Sequence, residues 1–228
     1  AITLVDIGTG TFMLNGVGGD IAFTPVNGRF FNVWVVPPMP TIYTVPAIEK
    51  PDKLGDTFGL EIWVRDVDPT WNIIGFQFSL MFNTTMLTSV LNPGATAYYD
   101  PGTFLEAFQY YPTGVLYVAD VNEHNRPAPL TSIPDGYNFS MFGAILLPDS
   151  PPNPPFHAPF PSVGAGGAKL MTVYFKALSE TISPKEDWSW ISFITFVDSA
   201  GQRQDTYAMT MFFETIGVLP IHTEDCHY

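Results

Sequence analysis

Along the middle of the chain, apolar and polar positions alternate with a period of two. Phe58, Leu60, Ile62 and Val64 alternate with Gly59, Glu61, Trp63 and Arg65. Ile74, Phe76, Phe78, Leu80 and Phe82 alternate in the same way with Gly75, Gln77, Ser79 and Met81. Further on, Met171, Val173, Phe175 and Ala177 stand opposite Thr172, Tyr174 and Lys176. In an extended chain successive side chains point to opposite sides, so this pattern predicts strands buried on one face. Residues 188–197 and 205–216 read similarly, joined by Asp198-Ser199-Ala200-Gly201 as a hairpin connection.

Shorter runs at 2–5, 10–14, 20–23, 29–36, 115–121 and 139–147 are also strand-like. Helical signals are nearly absent, and the best candidate is a short turn or helix at 103–110. No amphipathic helix of about 10–15 residues separates the strands, which excludes a parallel βαβ sheet. The pattern predicts an all-β fold, an antiparallel jelly-roll β-sandwich of about ten strands with an N-terminal strand extension. Two proline-rich stretches, 37–51 and 148–161, punctuate it. The first divides an N-terminal extension (1–50) from the sandwich (51–228). The second is a long loop within the sandwich. Each reads either as a stiff surface connection or as a polyproline-like recognition surface.

Composition narrows the function classes. Of 228 residues, 46% are hydrophobic and 15% aromatic, enough for a large core and far too apolar for disorder. The net charge is −13 with nine Lys and Arg, which argues against a nucleic-acid partner or an anionic membrane surface. Cys226 stands alone, so there is no disulfide framework and no paired-cysteine metal motif. No apolar run of about 18 residues exists to span a bilayer. The start at Ala1, without Met, reads as a processed N-terminus after signal-peptide removal, which predicts an extracellular or cell-surface protein.

From residue 56 to 214 the chain resembles cohesin-like extracellular modules. Their strand of the form F-x-V-x-V-x-D-V is matched by Phe58 to Val67, and their G-F-Q-F-x-L-x-F-N element by Gly75 to Asn83 with Leu87 after it. A G-x-F-L element follows at Gly102-Thr103-Phe104-Leu105, and G-x-L-x-x-V-x-F-x-A is similar to Gly167 through Ala177. The resemblance implies a jelly-roll sandwich without a catalytic centre. Such modules bind a protein partner through one sheet face or build cell-surface structures. The first fifty residues and the long 148–161 loop lie outside that pattern.

The N-terminal arm opens a second line. Ile2, Leu4, Val5, Phe12 and Leu14 are apolar and β-prone, and an isolated strand needs a sheet to pair with. It can pair within its own chain or enter a neighbour, and head-to-tail strand addition yields open filaments. These residues are therefore the candidates for inter-subunit strand pairing, with copies of the same chain as partner. The expected function is a structural self-assembling subunit of an extracellular filament or surface layer. The alternative is a secreted adhesion or scaffold module binding a protein or glycan.

Candidate chemistry is sparse. Asp66 and Asp68, with Asp120, Asn122 and Glu123, offer oxygen ligands of the kind calcium takes, or are solvated turn residues. No other cofactor is expected. His222, Cys226 and His227 could hold a soft metal, or are incidental to a chain end. Asn83 and Asn138 each begin an N-x-S/T glycosylation triplet. No nucleophile elbow, metalloprotease helix or phosphate loop occurs, so no enzymatic activity is expected. Trp188, Trp190 and the pairs Tyr98-Tyr99 and Tyr110-Tyr111 supply rings for packing or for stacking on sugars.

Overall fold

The fold was read from a computed structural model that describes residues 13–14, 20–21, 40–47, 53–108, 114–123, 135–179, 190–194, 210–215, 218–219 and 221–227. The chain divides into two compact units, Ala1–Pro38 and Met39–Tyr228. In the first, β1 (Met13–Leu14) pairs antiparallel with β2 (Asp20–Ile21), placing Leu14 opposite Asp20. The arm residues Ile2, Leu4, Val5 and Phe12 lie outside the described residues, as do the strands expected at 2–5 and 29–36.

The second unit is an all-β jelly-roll sandwich. Its strands are β3 (Thr41–Val45), β4 (Thr57–Arg65), β5 (Ile73–Asn83), β6 (Leu87–Ser89), β7 (Tyr99–Pro101), β8 (Val115–Glu123), β9 (Tyr137–Leu146) and β10 (Ala168–Ala177). They are followed by β11 (Trp190–Phe193), β12 (Met211–Glu214), β13 (Val218–Leu219), β14 (His222–Glu224) and β15 (Cys226–His227). One sheet runs β14-β3-β4-β10, with both β6 and β7 on the far side of β10. The other runs β8-β9-β5, and beyond β5 come β12 with β13 and β11 with β15. All described pairings are antiparallel except β14 beside β3, which is parallel.

The period-two pattern becomes the interior. Phe58, Leu60, Ile62 and Val64 of β4 face Phe76, Phe78, Leu80 and Phe82 of β5 in one buried cluster. Phenylalanine rings tie the layers together. Phe82 of one sheet meets Phe175 of the other edge-on at 5.2 Å, and Phe175 also stacks on Phe58 at 6.0 Å. Within the second sheet Phe78 touches Phe142 (5.5 Å) and Phe193 (6.3 Å). Each fully buried ring contributes roughly 1.5–3 kcal/mol by leaving water.

One end is closed by α1 (Thr103–Glu106), whose Phe104 and Leu105 are buried, Phe104 lying 5.9 Å from Phe212. Gly102 precedes it and donates its N–H to Leu170 O at 3.0 Å. A Cβ there would collide with the Lys169 carbonyl, so only glycine permits this approach to β10.

Two expectations shift. The boundary between units falls after Pro38, because Thr41–Val45 of the first proline-rich stretch is strand β3 and pairs with β4 from Thr41↔Arg65 to Val45↔Glu61. The C-terminal segment is built into both sheets and is not a loose end. His222 N–H donates to Pro40 O (2.9 Å), Phe193 N–H donates to Asp225 Oδ1 (2.8 Å), and Cys226 is buried with its Sγ 3.7 Å from Pro46 O.

Replacing Phe78 with Ala removes a ring that three others touch. It should lower unfolding free energy by about 3–5 kcal/mol in urea titration. A loss under about 1 kcal/mol would contradict this packing.

Candidate functional site

Because the inner phases of the long strands β4, β5, β9 and β10 supply the core, function falls to the outer phases and the loops. The two outer faces differ in chemistry. On the β8-β9-β5 sheet, register aligns Leu116 with Ile145 and Gly75, Val118 with Gly143 and Gln77, and Asp120 with Met141 and Ser79. Leu116 and Val118 are 50% and 51% exposed, the most exposed large aliphatic residues on the described strands. Ile145, Met141, Met81 and Phe213 are half-buried on the same side. Phe139 and Met211 also belong to the outer phase by register but are buried.

The outer face of the other sheet is aromatic and charged. Tyr43 on β3 pairs with Trp63 on β4, and Tyr174 on β10 pairs with Gly59, whose missing side chain leaves room for the ring. Trp63 Nε1–H donates to Glu61 Oε2 at 2.8 Å, and Lys169 Nζ donates to Glu61 Oε1 at 3.3 Å. The Arg65 guanidinium lies 4.8 Å from the Tyr43 ring centre and pairs through both terminal nitrogens with Glu224. That hydrogen-bonded carboxylate raises the Arg65 pKa further. Tyr174 donates its hydroxyl to Asp100, which also accepts from the Asn92 amide. Burial, then the Asp100 hydrogen bond, pushes the Tyr174 phenol up to about 12.

At the β6–β8 margin a polar knot joins the sheets. Asn122, a bulge residue with φ of 59°, accepts Ser89 N–H at Oδ1 (2.9 Å) and donates Nδ2–H to Ser89 O (3.0 Å). Ser140 Oγ accepts Asn122 N–H (3.1 Å) and bonds Ser89 Oγ (2.7 Å). Asn138 Nδ2–H closes the group on Asn122 O (3.1 Å). Asn122 thus acts here as a side-chain substitute for a sheet neighbour.

The proline-rich loop is clasped by its own ion pair. His157 Nε2 meets Asp149 Oδ2 at 2.9 Å, while Nδ1 faces Ala158 O at 3.0 Å. Both ring nitrogens therefore face acceptors, which favours the doubly protonated ring. The Ala158 carbonyl and then Asp149 raise the His157 pKa. His157, with hydrogen bonds from Ser150 N–H and the Asn153 amide, holds the Asp149 carboxyl below its usual range.

The residues proposed from sequence fall into separate environments. Asp68 caps the short turn Pro69–Trp71, accepting from Thr70 N–H (2.8 Å) and hydroxyl (2.7 Å), which hold its carboxyl below the ordinary range. Asp66 lies 3.7 Å from Arg65 Nε. Asp120 and Glu123 sit on β8 with Asn122 between them. Among the described residues no three His, Cys, Asp or Glu side chains converge as a metal cluster. Asn83 Oδ1 accepts from Thr85 N–H (2.9 Å) and hydroxyl (2.8 Å) at the β5–β6 turn, whereas Asn138 belongs to the polar knot. Trp188, Tyr110 and Tyr111 lie outside the described residues. The Tyr43, Trp63 and Tyr174 face was not singled out from sequence, although a tryptophan in the polar phase of 58–65 was its signal.

No protein-family model matches the chain, and no curated protein matches it. Among solved structures it is similar to cohesins. A non-cellulosomal cohesin from the hyperthermophilic archaeon Archaeoglobus fulgidus shows 9% identity and a TM-score of 0.46, over 83% of this chain and 88% of that one. A type II cohesin domain from the cellulosome of Acetivibrio cellulolyticus shows 17% identity and 0.48, over 83% and 95%. The third ScaC cohesin of that organism, solved with a ScaB dockerin, shows 14% identity and 0.46, over 83% and 96%. The sandwich itself rests on the strand pairings above.

Two outcomes test these clusters. Asn122→Ala leaves Ser89 N–H and C=O without their partners and should cost about 2–3 kcal/mol in urea unfolding; an unchanged midpoint would contradict the knot. The raised His157 pKa means the clasp is held below the ordinary value of 6.5 and is lost as pH rises through the raised value. The lowered Asp149 pKa means its share is present above 3.8 and lost as pH falls through the lowered one. An NMR titration should place the His157 midpoint above 6.5 in the native chain and nearer it in Asp149→Asn. Coincident midpoints would contradict the clasp.

Proposed function

We propose that the chain is a non-catalytic extracellular scaffold or adhesion module that binds a protein partner through the outer face of the β8-β9-β5 sheet. The observation that carries this reading is the strip of aliphatic side chains on that face, with Leu116 and Val118 half exposed beside Ile145 and Met141. Such side chains gain by leaving water, and methionines adapt to a partner's contour. Asp120 and Glu123 supply a polar rim on the same strand. The sequence resemblance to cohesins points the same way, since those modules bind partners through one sheet face. Extracellular placement rests on that same resemblance; with a single cysteine the chain can form no internal disulfide, so packing stabilises it. None of the described helices is long and apolar enough to cross a membrane.

Self-assembly through the N-terminal arm is the competing reading. Within the described residues, the arm positions Met13 and Leu14 pair with Ile21 and Asp20 of the same chain.

Placing a charge in the aliphatic strip separates the two. Leu116→Arg and Val118→Arg should each fold with an unchanged thermal transition, since both side chains point outward. They should weaken retention of a protein from the source organism's extracellular fraction by about ten-fold or more, as an unpaired desolvated charge requires. Equal retention by native and variant chains would contradict this reading. Fibres from the purified chain that vanish on deleting residues 1–14 would replace it with self-assembly.

A further inference from the structure

The β14-β3-β4-β10 sheet carries a second outer surface whose chemistry differs from an aliphatic docking strip. Three rings, Tyr43, Trp63 and Tyr174, stand on three adjacent strands. Trp63 and the Gly59 position under Tyr174 are four residues apart on β4, roughly 13 Å at the usual strand rise. Between them lie Glu61 and, across the pair, Thr172. Among the described residues of these strands, the one large aliphatic side chain exposed on this side is Val45, at 38%.

The charges between the rings are balanced. Glu61, Asp100 and Glu224 face Arg65, Lys169 and Lys176. Three of the four described lysines and arginines are thus gathered on one face of a chain whose net charge is −13. A locally neutral face does not select an anionic or a cationic ligand. Its polar groups are held in place by one another, through Trp63 to Glu61, Lys169 to Glu61, Arg65 to Glu224 and Tyr174 to Asp100. The charged groups among them retain further hydrogen-bonding capacity, because an ammonium has three donors, a guanidinium five, and a carboxylate about four acceptor sites, whereas the single Trp63 N–H is already used by Glu61. Binding there would therefore need little additional side-chain ordering.

Flat rings spaced along a sheet, with preordered donors and acceptors between them and no net charge, match one ligand class. A neutral polysaccharide offers apolar C–H faces to stack on rings and hydroxyls to bond the flanking groups. We propose that this face is a binding site for a linear neutral polysaccharide, with Trp63 and Tyr174 as stacking platforms and Glu61, Lys169 and Arg65 as hydroxyl partners. The geometry around Gly167 supports a built surface. Its φ of 72° favours glycine, and a Cβ there would strike the Tyr43 hydroxyl, so the tyrosine lies flat across β4 toward the start of β10. The site is independent of the protein-docking face, since the two lie on different sheets.

Affinity electrophoresis of the full chain through gels containing mixed-linkage β-glucan, xylan or galactomannan tests the assignment. At least one polymer should retard the native chain. Trp63→Ala and Tyr174→Ala should each weaken that retardation ten-fold or more, while Leu54→Ser, an exposed residue off this face, should not. Should Trp63→Ala fail to fold, Trp63→Phe identifies the Trp63 indole N–H resonance, which must shift when the matching oligosaccharide is added to the native chain. Absence of retardation by all three polymers, or retardation that both alanine variants retain, overturns the proposal.

Discussion

Everything in this protein depends on the packing of phenylalanine rings between two twisted sheets. Phe82 against Phe175, and Phe78 between Phe142 and Phe193, join strands far apart in sequence into one interior. Without disulfides among the described residues or a metal cluster to assist, this burial has to offset the entropy of ordering the chain. The constraint propagates outward. Once one phase of each strand is fixed inward, the other phase is fixed outward by the two-residue period. The chemistry of both outer faces is therefore set by the same alternation that sets the core.

That coupling explains why the two faces can diverge. A sandwich core is indifferent to what its outward residues are, provided the backbone still pairs. Gly59, Trp63 and Lys169 on one side, and Leu116, Val118 and Met141 on the other, carry different chemistry on a shared frame. The polar knot around Asn122 and the buried tail at Cys226 tie the margins where the two sheets meet. Preordered side chains lose less entropy on binding, which is in keeping with the recognition role proposed above.

The strands β4, β5 and β10 were legible in the sequence because each carries a run of alternation, and β9 was legible as a strand-like run at 139–147. The short helix at Thr103–Glu106 was legible from the same region. β3 was not, since its five residues lie between prolines and, besides β4, its neighbour is an edge strand at the distant C-terminus. The role of Asn122 was also hidden. An asparagine beside two acids reads as an oxygen ligand, whereas its bonds reach Ser89, 33 residues away, through a bulge that only the fold creates. The clasp between Asp149 and His157 depends on the path of a proline-rich loop, which carries no periodic signal. Face chemistry was partly readable, because Trp63 in the polar phase of a half-buried strand marks an outward aromatic.

The central claim is that this chain works by recognition at the β8-β9-β5 face and does not polymerise. A photoreactive amino acid placed at Val118, and separately at Lys176 on the opposite sheet, tests it directly in the source organism. The account predicts a covalent adduct with a different protein from position 118 and none with protein from position 176. An adduct between copies of this chain, or a protein adduct from 176 alone, would contradict it.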